Sequence, residues 1–344
     1  MRYNKIKLGA LAVLASAQLF AGNPQRTGSS AAPELLINPW ARSAGWGGLN
    51  IASVKGIEGS YVNVAGLAFT RGTEVVFSNT QWLMGSGISI NSAGLSQRVT
   101  PNGVLGISLV SFDYGEWDIT TVNQPEGGIG TIAPSALTFG LSYAQKFTKS
   151  IYGGVSIKVF NQAINNLSAT AIMADAGVQY IKGDFQFGIT LKNVGSNLTF
   201  EGDGNSITLP VPQNTHSQSY EQRSASFELP SQLSLGANYD FYFEEKTWRV
   251  TPGFTFQSNS FEKDQYVFGA ELAWNKYLMV RGAYTMFDNR VDEIRTTALT
   301  GVSGGVTFQA PLAKGSDNYF AIDYAYRATN PFSGIHSISA RFDL

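Results

Sequence analysis

The sequence predicts an all-β fold: a transmembrane, up-and-down antiparallel β-barrel of about 14 strands, with an N-terminal segment plugging its lumen. Three observations predict it: apolar and polar residues alternate with period two from about residue 73 onward, charge is sparse, and short and long connections alternate. Charged residues are 14% of the chain against about 25% in a soluble domain, while aromatics are 12% and glycines number 37. A soluble surface needs that charge, whereas a wall facing acyl chains does not. The net charge of −1 leaves no basic footprint for nucleic acid.

The first element is a secretory signal over residues 1–21: Arg2, Lys5 and Lys7 precede an apolar stretch from Leu8 to Ala17, and cleavage is expected after Ala21, with Ala17 as the alternative. The stretch is too short for a helical span, which needs roughly twenty apolar residues. Cysteine is absent, so neither lipid attachment nor a disulfide is available. Residues 22–73 form the plug segment, rich in glycine and alanine yet dotted with Leu35, Leu36, Ile37, Trp40, Trp46, Ile51 and Leu67, which need something apolar to pack on. The barrel occupies 74–344.

Within the barrel, Phe185, Phe187, Ile189 and Leu191 alternate with Gln186, Gly188, Thr190 and Lys192, the pattern of a strand with one apolar and one polar face. Such runs place strands at 74–83, 85–94, 103–113, 136–147, 151–163, 168–181, 184–194, 226–241, 247–258, 264–275, 278–288, 300–310, 317–328 and 335–344. Four of the even-numbered connections are tight, at Thr148-Lys149, Lys182-Gly183, Glu244 to Lys246 and Asn275-Lys276, while two odd-numbered ones are long, at 114–135 and 195–225. Short periplasmic turns opposite long extracellular loops are the signature of outer-membrane barrels in Gram-negative bacteria. The sequence ends in a further alternating run, with Ile338, Ala340, Phe342 and Leu344 on one face.

Several stretches carry a family resemblance. Asn38-Pro39-Trp40-Ala41-Arg42-Ser43-Ala44-Gly45-Trp46-Gly47-Gly48 and Asn63-Val64-Ala65-Gly66-Leu67-Ala68 resemble the opening of PorV/PorQ family proteins, and Leu229-Pro230-Ser231-Gln232-Leu233-Ser234-Leu235-Gly236 and Ile322-Asp323-Tyr324-Ala325-Tyr326 resemble later family segments. Val64 stands where the family has proline, and Trp46 where methionine is common. The resemblance implies a FadL-like barrel whose hatch motif includes Arg42, Gly45, Gly48, Asn63 and Gly66. It also implies a non-enzymatic role in type IX secretion or surface display, with a translocon subunit or a secreted cargo protein as partner. The alternative it leaves open is FadL-like uptake of hydrophobic small molecules such as long-chain fatty acids.

Chemistry has little to work with. The two histidines, His216 and His336, lie far apart in sequence, and a hydrolytic arrangement of His216 with Ser217 or Asp203 has nothing further to recommend it. Glu201 to Asn205 lacks the later ligand positions of a calcium loop, so no metal, cofactor or catalytic residue is expected. Lys158, Lys192, Glu228, Asp240, Asp323 and Arg341 fall on the polar side of their strands and are placed facing the lumen. Trp82 and Trp117, beside the first two extracellular connections, are placed as partner contacts; the outer wall is expected to meet outer-membrane lipid.

Overall fold

The computed structural model describes residues 22–210, 217–286, 290–291, 294–295, 297–313, 316 and 318–344. The expected signal segment and His216 lie outside the described residues. Fourteen antiparallel strands form the wall: β1 (Thr73–Trp82), β2 (Ile88–Arg98), β3 (Gly103–Asp113), β4 (Ser135–Lys146), β5 (Ile151–Ile164), β6 (Leu167–Lys182), β7 (Phe185–Gly195), β8 (Gln232–Tyr239), β9 (Trp248–Asn259), β10 (Gln265–Trp274), β11 (Leu278–Met286), β12 (Leu299–Pro311), β13 (Tyr319–Thr329) and β14 (Ile335–Asp343). Each pairs with its sequence neighbours, and β1 closes the ring against β14 with Phe77 opposite Ala340. The closed wall leaves no strand edge facing lipid, which is the condition for β-structure to exist in hydrocarbon.

The alternation read from sequence is an inside-out arrangement. On β5, Ile157 is 60% exposed while its neighbour Lys158 is 6% exposed. On β6, Ile172 and Val178 point outward and Met173, Asp175 and Gln179 inward. The apolar residues face outward; the polar ones face the plug and one another.

The turns joining β2–β3, β4–β5, β6–β7, β8–β9 and β10–β11 are tight and mark the periplasmic end. At the opposite end the connections 114–134 and 196–231 are the long extracellular loops. The connection of β5 to β6 is only Asn165-Asn166, but these are the two longest strands, at 14 and 16 residues.

Two elements differ from the sequence reading. The second strand starts at Ile88, not at 85, because Leu83, Gly85 and Gly87 all adopt positive φ and build a turn closed by Ser86 N–H donating to the Leu83 carbonyl at 2.9 Å. That shift lengthens the first hairpin loop and tightens the second connection. The eighth strand starts at Gln232, not at 226: Pro230 has no N–H to give a ladder, and Ser231 N–H turns back onto the Leu229 carbonyl at 2.9 Å. Ser226-Phe227 pairs instead with Leu198-Thr199 in the loop.

Residues 33–69 fill the lumen as short helical turns: α1 (Ala41–Gly45), α2 (Gly59–Val62) and 3₁₀ turns at Pro33–Leu36, Leu49–Ala52 and Val64–Phe69. Trp40 and Ile57 pack on Val76 of β1. Val64 and Leu67 pack on Val104 of β3 and Ala144 of β4, and Trp46 and Leu49 on Val267 of β10 and Ala283 of β11. The hatch therefore touches opposite sides of the barrel.

Candidate functional site: the hatch seat and the lumen

Glycines on the inner face of the strands make room for the hatch. A Cβ at Gly188 would lie 2.6 Å from the Ile51 carbonyl oxygen, and one at Gly154 would lie 2.8 Å from the Val64 carbonyl group, so backbone approaches backbone where any side chain would intrude. From the hatch side, a Cβ at Gly45 would meet the Gly305 Cα at 3.0 Å. Gly48 adopts φ of +94° against Gln257, and Gly66 lies under the Val54 carbonyl while its own carbonyl accepts from Gly56 N–H at 2.9 Å. Arg42 contributes its backbone, whose carbonyl accepts from an Arg281 guanidinium N–H at 3.1 Å.

Asn63 fastens the hatch to the wall. Fully buried, its amide nitrogen donates toward the Ile51 carbonyl at 3.0 Å, Val178 of β6 at 3.2 Å and Ile189 of β7 at 3.3 Å, while its side-chain oxygen caps the next turn by accepting from Ala65 N–H at 3.2 Å. Gln179 reinforces this point, donating to the same Ile51 carbonyl at 3.0 Å and to Val54 at 3.2 Å. Replacing Asn63 with alanine removes these hydrogen bonds and leaves the Ala65 N–H without its cap in a buried site, at about 1–3 kcal/mol. Thermal unfolding of the Asn63→Ala barrel should show that loss, together with faster proteolysis at hatch residues; unchanged protection would refute the fastening role.

Around the hatch runs a polar network. Lys158 of β5 pairs with Asp175 of β6, and the other oxygen of Asp175 accepts from Asn193 N–H at 2.8 Å. On the far wall, Asp240 accepts from Gln186 at 2.8 Å and from Thr251, and Arg249 donates to Glu271 at 2.6 Å. Arg281 lies 3.2 Å from the second Glu271 oxygen in an ion pair without hydrogen-bond alignment, and it also donates to Thr307, which donates to Asp323. Arg341 donates to Gln309 at 3.1 Å and lies 3.5 Å from Asp343. Lys158, Lys192, Asp240, Asp323 and Arg341 thus all lie buried on the inner wall. Glu228 is the exception: its side chain is 56% exposed in the loop before β8 and pairs with Arg26 at 2.9 Å, because the strand in which it was placed begins only at Gln232. Asp175, Arg249, Glu271 and Arg281 were not singled out from sequence, although their strand phase was the available signal.

In the hatch, burial raises the Glu58 carboxyl above the usual carboxylate range, and the nearby charge of Asp323 adds to the rise; Ser43 donates a hydrogen bond to it. A raised folded-state pKa means that this group favours folding below its unfolded value, about 4.3, and opposes it increasingly as pH climbs through the folded value. The Glu58→Gln barrel should therefore lose less thermal stability than the parent when pH is raised from about 5 to about 9. Parallel melting curves for the two proteins across that range would contradict the assignment.

Of the two tryptophans, Trp82 turns inward and packs beside Phe112 and Tyr114, whereas Trp117 is 50% exposed on the loop after β3, its indole N–H donating to the Tyr114 carbonyl at 3.2 Å. His336 faces outward and shares a hydrogen bond with Tyr324 at 2.8 Å. Among the described residues no cluster of His, Cys, Asp and Glu could hold a metal. Between the hatch and the extracellular mouth lies a cavity of about 510 Å³, lined by apolar Leu36, Ile37 and Phe112 and by polar Glu34, Lys192 and Arg327.

A closed, lipid-facing wall of fourteen strands around a packed N-terminal hatch defines an outer-membrane β-barrel of a Gram-negative bacterium, FadL-like in architecture. The solved CymD monoaromatic hydrocarbon channel is similar over 90% of this chain and 98% of its own, with a TM-score of 0.57 and 13% identity. The Ralstonia pickettii toluene transporter TbuX (TM-score 0.53, 13% identity, 89% and 98% covered) and the P. putida toluene transporter TodX (0.53, 13%, 89% and 97%) are similar too. At such identities the likeness is one of fold. Residues 129–342 match the family described as type IX secretion system membrane protein PorP/SprF, and the chain belongs to that family. The matched family is thus PorP/SprF, where the opening segments resemble PorV/PorQ; type IX secretion is common to both readings. No curated protein matches the chain.

Proposed function

We propose that this barrel is a non-enzymatic component of type IX secretion or surface display that works by binding protein partners, a translocon subunit or a secreted cargo, through its extracellular loops. The observation that carries the reading is the content of the lumen: below the mouth it holds the hatch and the ion-paired chain from Asp240 through Arg249, Glu271 and Arg281. A path for apolar solutes has no use for buried charges whose desolvation is costly. The same wall suits a rigid platform for loops too long for simple closure. A role like that of PorV, carrying cargo toward surface attachment, rests on the opening segments around Arg42 and Asn63.

Affinity purification of the barrel from native membranes in mild detergent is expected to recover a secretion-machinery subunit or a cargo protein. Recovery of the barrel alone, reproducibly, overturns the proposal. The alternative, uptake of a hydrophobic small molecule, draws support from the apolar flank of the cavity at Leu36, Ile37 and Phe112. Saturable binding of a hydrophobic fluorophore, abolished by Phe112→Glu, would favour it.

A further inference from the structure

The loop 196–231 is built in two parts. Its root folds inward: Leu198 and Leu229 are buried with Phe112, Phe160 and Met173 on the inner wall, and Ala31 N–H donates to the Glu228 carbonyl at 2.9 Å. Its outer part is a separate β-hairpin, Ser206–Pro210 against Ser217–Glu221, every residue of which is exposed. Among the described residues this hairpin forms a two-stranded sheet of its own, so both outer edges carry unpaired backbone N–H and C=O groups. A two-stranded hairpin by itself is marginal in water.

Its faces are unlike. Ile207 lies opposite Tyr220, and Leu209 follows two positions on, so the three share one face at 49%, 49% and 47% exposure. The other face carries Thr208 and Ser219, hydrogen-bonded to each other at 3.2 Å. The second long loop, 114–134, is anchored in the same wall through Tyr114 and adds Trp117 and the almost fully exposed Val122. Around these apolar side chains the charge is one-sided. Loop 114–134 has Glu116, Asp118 and Glu126 and no basic residue; loop 196–231 has Glu201, Asp203 and Glu221 against Arg223, its Glu228 being paired with Arg26.

Exposed apolar groups framed by carboxylates do not suit a lipid surface, where anionic head groups repel them and peripheral anchors carry Lys and Arg instead. Nor do they suit a second copy of this chain, which would bring the same negative loops together. We infer that the strand pair Ser206–Pro210 and Ser217–Glu221 receives an extended, lysine- or arginine-bearing segment of a partner protein, which adds a third strand to a free edge. Its apolar side chains cover Ile207, Leu209 and Tyr220, and its cations meet Glu201 and Glu221. The inference rests on the partner-binding function proposed above and names the chemistry of the bound segment.

The full-length barrel in nanodiscs of zwitterionic lipid is titrated with a synthetic peptide alternating lysine and valine, and with its glutamate–valine counterpart. Only the lysine peptide is expected to bind, more weakly as salt is added. The doubly substituted Ile207→Ser, Leu209→Ser barrel, whose charge is unchanged, should bind it at least about tenfold more weakly, as should the Glu201→Gln, Glu221→Gln barrel. All four positions are exposed, and retention of the fold is checked by the migration difference between heated and unheated samples. Equal binding of the two peptides overturns the inference because charge would then play no part, and full binding by the Ile207→Ser, Leu209→Ser barrel overturns it because simple charge attraction would then suffice. The two proposals fail separately: native purification with the substituted barrel that still recovers the parent's partners sinks the hairpin's role alone, while a parent that recovers none sinks the function itself.

Discussion

A barrel carrying Gly188→Val should insert and close its wall yet release its hatch. The new side chain would start 2.6 Å from the Ile51 carbonyl oxygen and 2.8 Å from the Ala52 Cα, both backbone atoms that no rotamer change can move. To make room, the turn Leu49–Ala52 must leave the wall, and the Ile51 carbonyl then loses the N–H groups of Asn63 and Gln179. Overpacking costs about 1–3 kcal/mol and each lost hydrogen bond about 1 kcal/mol more, so a total of about 3–5 kcal/mol is expected. The β7 ladder itself survives, because valine suits a strand and the backbone pairing of Gly188 with Gly236 is unchanged. The expected signature is a folded barrel in electrophoresis with a protease-sensitive hatch and raised ion leakage across a planar bilayer. Gly282→Val is the control, since its Cβ meets nothing closer than 3.9 Å and points to lipid. A Gly188→Val hatch as protected as the parent's would show that the close approach is not what seats it.

The wall was legible in the sequence because lipid and lumen impose opposite polarity on successive residues, and no soluble context competes with that signal. Legibility ended where the two-residue period was supplied by something else. Phe227 and Leu229 continue the alternation of β8, but they serve the loop root, and Pro230 breaks the ladder between them and Gln232. Residues 85–87 look like the start of a strand yet belong to the turn, since the glycines at 85 and 87 accept the left-handed backbone that the hairpin needs. Arg42 and Asn63 drew notice through a motif, but nothing local says that Asn63 reaches carbonyls more than a hundred residues away on β6 and β7. The glycines at 154, 177 and 188 fall in the polar phase of their strands, and only the hatch explains why a polar side chain is missing there. Pair partners such as Lys158 with Asp175 follow from register, which hydropathy alone does not fix.

The second large effect is expected at Arg281 on β11, whose guanidinium reaches in three directions: to the Glu271 carboxylate on β10, to Thr307 on β12 and to the Arg42 carbonyl in the hatch. Its side chain is fully buried, and that of Glu271 nearly so. Arg281→Met removes one charge and leaves Glu271 with Arg249 as its remaining partner, and Asp323 loses the cation behind Thr307; breaking a buried pair from one side costs about 3–5 kcal/mol. Adding Glu271→Gln removes the carboxylate that Arg281 no longer helps to balance, so the double variant should be less destabilised than the sum of the singles by about 1–3 kcal/mol. Arg281→Lys keeps the charge but cannot span three partners with one ammonium, and should restore only part of the loss. Complete restoration by lysine would mean that the site needs a positive charge and not a fork.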